Sequence, residues 1–354
     1  MQAASSAECQ ACPVSADKIT MKILNKLATV AIGATALFAA CTPPAPTSYT
    51  VTGILPDSSM NGKEVFIRHG DATVIDSTTV DGNKFTFEGV ADSAIYSYIH
   101  IRGTQMYSNL VLENGDIVLD FSAEEVIPTG TPNNKILGDI YAICDTIKPE
   151  NYMAISAEWF AKHNNDIISI VLYNSCLYPI FNVDLQIATL EGMGENIKGY
   201  FNSELNRLKA EKATEVGRPY IDFEGKDAAG NPVKLSDYVG KGNYVLVDMW
   251  TSWISTCIDE IPHLAEVHNL YKDKGLTVLG IFVWDDVKNL EPTLKAEGVT
   301  WAQIIDTEKK AVEAYGANGP LRMLIGPDGT ILERNINERG ESMKPIIEKY
   351  LLKK

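Results

Sequence analysis

Among the side chains of this 354-residue sequence, its six cysteines are the first candidates for covalent chemistry. Cys257 closes the window Asp248-Met249-Trp250-Thr251-Ser252-Trp253-Ile254-Ser255-Thr256-Cys257, where an apolar, β-rich run gives way to a helical pattern. A thiol in the first turn of a helix has backbone N–H groups and the helix dipole nearby, and both favour the thiolate. Two readings of Cys257 stand side by side. It is either a small, half-buried, inert thiol, or a monothiol nucleophile of peroxidase or mixed-disulfide type. Cys144 and Cys176 lie in a helical stretch and either form a disulfide or pack as small hydrophobes; a pairing of one of them with Cys257 is the outlying alternative. Cys9 and Cys12 form a C-x-x-C with neither strand nor helix beside it. The histidines include no H-E-x-x-H, and Glu260 with His263 is one isolated pair on a helix face. No metal centre and no cofactor is therefore expected. Gly240-Lys241-Gly242 lacks the spacing of a phosphate-binding loop.

The sixth cysteine, Cys41, belongs to a different kind of pattern. Met21 is followed by Lys22 and Lys26, and residues 27–40 are apolar and small. That is the layout of a secretory signal, with an apolar run too short to span a bilayer. Its end, Leu37-Phe38-Ala39-Ala40-Cys41, resembles a bacterial lipobox with Cys41 as the lipidated residue, although Phe38 departs from the usual residue there. Such signals act from the extreme N-terminus. Met21 is accordingly read as the start, residues 1–20 as untranslated or unstructured, 21–40 as the signal and 41–48, rich in proline, as a tether. A lipidated cysteine anchors a chain to a membrane without a spanning helix. The tether lacks an acidic run, which favours a periplasm-facing lipoprotein of the cell envelope, on the outer membrane.

A net charge of −15 argues against nucleic acid as a partner. With 45% hydrophobic and 22% charged residues the composition is globular, and the length allows two or three domains. Residues 49–125 show short alternating runs broken by turn signals such as Asp81-Gly82-Asn83, which predicts a small antiparallel β-domain. Residues 126–215 switch to a helical period and read as a helical connector. Residues 216–354 alternate strand and helix, which predicts an α/β domain with a largely parallel sheet. The predicted strands are 244–250, 277–284, 322–326 and 330–334, and the predicted helices 257–274, 290–297, 308–315 and 342–352.

Several motifs in 216–354 agree in order with one family. Val247-Asp248-Met249-Trp250-Thr251-Ser252-Trp253-Ile254-x-x-Cys257-x-x-Glu260-x-Pro262 resembles the V-D-F-W-A-S-W-C-x-x-C-x-x-E-x-P of the thioredoxin superfamily, in its TlpA/ResA-like (AhpC/TSA-redoxin type) envelope branch. Residues 230–241 are similar to its lead-in segment, and residues 315–329 to its proline loop and closing hairpin. Ile75-Asp76-Ser77-Thr78, Asp81-Gly82-Asn83-Lys84-Phe85 and Leu112-Glu113-Asn114-Gly115-Asp116 resemble a β-domain of unknown function that precedes such domains. The resemblance implies a C-terminal thioredoxin-like fold and a protein or thiol partner. It makes Cys257 the resolving cysteine, assisted by Asp248, and Trp250, Trp253 and Pro320 the partner-docking rim. Arg322 is a positive charge beside that rim or a solvated strand end, and Trp250 and Trp253 are equally consistent with buried packing. Gly319–Pro320 takes the place of the family's cis-proline bond, although Gly319 runs into Pro320 without the usual intervening residue. The largest departure is Ile254 at the nucleophile position. An alkyl side chain can neither ionise nor form a mixed disulfide. The expectation is a redox-impaired binding module, with a monothiol oxidoreductase or peroxidase using Cys257 as the alternative.

Overall fold

The computed structural model describes residues 45–70, 72–175, 182–337 and 340–352. Cys9, Cys12, the segment 21–40, Cys41 and Cys176 lie outside the described residues. The chain divides into two compact units between Tyr200 and Phe201.

The first unit opens with β1 (Tyr49–Ile54), β2 (Glu64–His69), β3 (Val74–Thr79), β4 (Lys84–Gly89), β5 (Ile95–Ile101), β6 (Tyr107–Leu112) and β7 (Gly115–Asp120). They form a three-stranded sheet, β4-β1-β7, and a four-stranded sheet, β3-β2-β5-β6. Alternate residues of both point into one core, including Val51, Phe85, Ile117, Val65, Ile67, Ile99 and Leu110, as period-two patterning requires. Every strand pair is antiparallel except β1 with β7, which run parallel. The expected antiparallel domain is thus present with one parallel pair, made where the chain leaves β6 of the four-stranded sheet, passes Gly115 (φ +131°) and adds β7 beside β1. Gly53 of β1 is required because a Cβ there would overlap the Phe85 ring. Helices α1 (Pro132–Thr146), α2 (Tyr152–Lys162), α3 (Ile168–Tyr173) and α4 (Val183–Glu191) follow, and α5 (Glu195–Ala213) runs past the division. Cys144, in α1, is disulfide-bonded, so it is not a free packing residue.

In the second unit a seven-stranded sheet has the order β14-β13-β10-β11-β12-β8-β9. Its strands are β8 (Glu224–Lys226), β9 (Pro232–Lys234), β10 (Tyr244–Trp250), β11 (Leu276–Phe282), β12 (Gln303–Ile305), β13 (Leu321–Ile325) and β14 (Ile331–Arg334). Its helices are α6 (Ser255–Tyr271), α7 (Leu290–Ala296), α8 (Lys310–Tyr315) and α9 (Lys344–Leu351). β10, β11 and β12 are parallel, and β13 runs antiparallel on the far side of β10. β10 is apolar almost throughout because both of its faces are covered. Val245, Val247 and Met249 meet Tyr315 and Ala311 of α8 on one face. Leu246 and Trp250 meet Cys257, Ile261 and Leu264 of α6 on the other.

Candidate functional site

Asp248 interrupts that apolar strand and faces α6, so the fold buries it. The register of β10 against β13 places Arg322 directly opposite. Arg322 Nε donates to Asp248 Oδ1 at 3.1 Å, and its Nη1 donates to Glu260 Oε2 at 3.2 Å. Glu260 follows Cys257 by one helical turn and lies on the same buried face of α6. All three charged side chains are at most 10% exposed, so a cation sits between two carboxylates with little water to screen it. Arg322 is thus a buried counter-ion, a correction to its expected place on a docking rim or a solvated strand end. The cross-strand register, invisible in the sequence, decides this.

Cys257 is 6% exposed. Among the described residues it is the free cysteine. With Asp248, Glu260, Arg322, Pro320 and Asn335 it lines a polar cavity of about 130 Å3. Burial pushes its thiol above the ordinary range. A backbone hydrogen bond from Thr251 and the Arg322 charge oppose this, and the Asp248 and Glu260 charges add to it. Burial likewise raises the Asp248 carboxyl, the charge and hydrogen bond of Arg322 pull it back, and Glu260 pushes it further up. The two candidate catalytic groups are therefore brought to one cavity, with the thiol in its neutral form and the carboxylate bound to a guanidinium.

Ile254 occupies the N-cap position of α6, where it makes no side-chain hydrogen bond to the helix. Polar residues are preferred there because an oxygen can accept from the exposed N–H groups; an alkyl group leaves that end of the helix without one. Ile254 packs instead, half-buried, against the cluster on that face of the sheet.

Trp250 and Trp253 separate. Trp250 is 4% exposed; its indole N–H donates to Gln303 Oε1 at 3.0 Å, and it stacks edge-on against Phe282. It is a core residue, not part of a rim, because its strand position points under α6. Trp253, in contrast, is 66% exposed, and its indole N–H donates to the Trp284 carbonyl at 3.0 Å. Pro320 is exposed at the cavity edge. The Gly319–Pro320 bond is trans, since the described residues contain no cis peptide bond. This corrects the cis expectation: trans is favoured by about 0.5–1 kcal/mol for an X–Pro bond, and the shortened loop enters β13 without the turn.

Asp285 was not singled out by sequence. Its Oδ2 accepts from the Ser252 N–H (2.7 Å), Ser252 Oγ (2.6 Å) and Thr251 Oγ1 (3.1 Å), while Oδ1 accepts from Asn289 Nδ2 (2.8 Å). Partial burial works to raise this carboxyl, but hydrogen bonds from Ser252, Asn289 and Thr251 outweigh it and bring the pKa down to about 2. The loop after β11 thereby clamps the loop after β10. Trp284 supplies the other half of the clamp with a left-handed backbone (φ +55°), a conformation uncommon for a bulky residue. The only sequence signal was a pair of acids, Asp285-Asp286, straight after an apolar strand.

The AhpC/TSA family model matches residues 216–336, and the model of a domain of unknown function (DUF4369) matches residues 49–137. The thiol-disulfide oxidoreductase ResA of Bacillus thuringiensis is 30% identical over 141 residues, covering 39% of this chain and 78% of that protein. The chain belongs to the ResA-type thiol–disulfide oxidoreductase family of the thioredoxin-like superfamily. ResA of Geobacillus thermodenitrificans is 29% identical over 151 residues, 40% of this chain and 84% of that protein. The thioredoxin domain of a thiol-disulfide oxidoreductase from Bacteroides vulgatus is 31% identical with a TM-score of 0.36, covering 39% of this chain and 98% of that one. As in the family, the site lies at the carboxyl end of β10 where α6 begins, the usual ligand edge of an open α/β sheet.

Proposed function

We propose that this member of the thiol–disulfide oxidoreductase family is a redox-impaired binding module, carried on a lipoprotein of the cell envelope. The observation that carries the reading is Ile254 at the N-cap of α6. Two-thiol turnover needs a thiolate there to attack the partner disulfide and a second cysteine to resolve the mixed disulfide. With Ile254 in place the first step has no nucleophile, and only the resolving position, Cys257, remains. Its buried, neutral thiol and the Arg322-bound Asp248 agree with a site not poised for attack. Trp253 and Pro320 stay exposed, Pro320 at the cavity edge, and are the remaining docking residues. The relatives are named thiol-disulfide oxidoreductases, so the partner is a protein or thiol. Residues 21–40 as signal and Cys41 as lipid attachment place the chain facing the periplasm, on the outer membrane. Residues 49–125, 126–215 and 216–354 then follow the tether as β-domain, connector and thioredoxin-like domain. The disulfide at Cys144 suits an oxidising compartment.

A second reading rests on the cavity: Cys257, although buried, lines a polar space that also borders the exposed Pro320 and Asn335. That would make Cys257 a monothiol nucleophile with Asp248 as base. Insulin-disulfide reduction and peroxide consumption by the purified chain separate the two. The binding reading predicts no turnover in either assay; turnover that disappears in Cys257→Ser would establish the monothiol enzyme instead. For the anchor, Cys41→Ser is expected to release the protein from the membrane fraction, and an unchanged distribution would refute lipidation at Cys41.

A further inference from the structure

The redox chemistry of the family asks two things of this site, an attacking thiol and a carboxylate free to take a proton from the resolving one. Ile254 removes the first. The geometry points to Arg322 as the residue that hinders the second, a positioning residue that ties Asp248 and Glu260 into an ion triad across β10, β13 and α6. This rests on the reading above and adds a brake on the resolving step, separate from the loss of the attacking thiol.

Three observations carry it. Arg322 stands opposite Asp248 in the strand register, so the two side chains share one face of the sheet. It binds both carboxylates at once, Nε to Asp248 Oδ1 at 3.1 Å and Nη1 to Glu260 Oε2 at 3.2 Å. The triad lines the same cavity as Cys257, so Asp248 borders the thiol it would serve while its Oδ1 is held by the guanidinium. The charged and titratable groups facing Asp248 are Arg322 from β13 and Glu260 and Cys257 from α6; Asn335 and Asn337 at the cavity edge are neutral. Burial raises the Asp248 carboxyl and the paired guanidinium opposes that rise, whereas two carboxylates left without a cation share one proton at a further raised pKa.

In a chain with a thiol restored at position 254, the resolving step would transfer the Cys257 proton to Asp248. The Cys257 sulfur would then attack the sulfur at 254 in the mixed disulfide, the 254–257 bond would form, and the partner would leave as its thiolate. Arg322 hinders the first of these events.

The test has two arms. In the first, carboxyl 13C shifts of Asp248 and Glu260 are followed against pH in the full chain and in Arg322→Met and Arg322→Lys. Arg322→Met is expected to move the Asp248 midpoint up by at least one pH unit, and Arg322→Lys to restore most of the original value. An Asp248 midpoint unchanged in Arg322→Met overturns the proposal, because a merely structural arginine would lower stability without moving it. In the second arm, Ile254→Cys and Ile254→Cys/Arg322→Met are compared in insulin reduction near pH 7. The double variant is expected to be about tenfold faster, within the range of general-base effects. A double variant no faster than the single one contradicts the lock while leaving the Ile254 reading intact. If both are silent, the Ile254 reading fails and the titration alone decides the role of Arg322.

Discussion

Arg322, Asp248 and Glu260 bring three charges together inside an apolar layer, and the consequences are large because water is excluded. Removing one member of a buried pair leaves an uncompensated charge, which costs about 3–5 kcal/mol. Arg322→Ala should therefore lower stability by about that amount, read from the denaturant midpoint; a loss below about 1 kcal/mol would mean that the guanidinium is effectively solvated. Asp285 behaves in the opposite way, since its carboxyl is depressed to about 2 against an ordinary value near 3.9. A depressed pKa contributes stability that is present above the unfolded value and lost as pH falls through the folded one. Wild type should thus exceed Asp285→Asn in stability at pH 7, and the gap should close between about pH 4 and about pH 2. A gap independent of pH would assign Asp285 a role other than accepting from Ser252 and Thr251. At this scale the sequence revealed the identities but not the pairings. Cys257 and Asp248 were legible because they stand in one continuous window, and Ile254 was legible as a departure from a pattern. Glu260 and Arg322 were each visible, yet their contact spans 62 positions and depends on strand register. Asp285 lies 33 positions from the loop it holds, and no local periodicity signals such a clamp.

Strands and helices of the second unit were largely readable, because β10 and β11 are buried on both faces and so carry unbroken apolar runs. Boundaries moved by a few residues, as at the start of α8, expected at 308 and found at Lys310, while its end at Tyr315 is as expected. The α8 helix stops at Gly316, which adopts φ +59°, the left-handed C-terminal position that glycine fills without strain. A Cβ at Gly316 would also collide with the backbone of Arg207 and Glu211 in α5. Gly316→Ala should consequently destabilise the fold by about 1–3 kcal/mol, seen as a lowered melting temperature. A neutral substitution would show that α5 does not press on this turn. The parallel pairing of β1 with β7 could not be read, since alternation in a strand tells which face is buried and not which neighbour it meets. The trans bond before Pro320 was likewise hidden, because loop length and resemblance pointed in different directions there.

For the molecule as a whole, the compact units divide between Tyr200 and Phe201, upstream of residue 216 where the sequence reading begins the α/β domain. The reason lies in contacts that join the second half of α5 to the second unit. Arg207 Nη1 donates to the Gly316 carbonyl at 3.2 Å, and Arg334 donates to Thr214 Oγ1 at 3.2 Å. A fragment of residues 201–354 should melt cooperatively, and trimming it to 216–354 should lower its midpoint by a few degrees, as about 1 kcal/mol does for a domain of this size. Equal midpoints would place the functional boundary at 216. The fold and family were therefore accessible from the ordered motifs of one unit, while the account of activity turns on a single side chain. Insulin-disulfide reduction by Ile254→Cys beside the unaltered chain tests that most directly. The account predicts a silent wild type and measurable reduction by the variant. Reduction by the unaltered chain at a rate matching Ile254→Cys would contradict it.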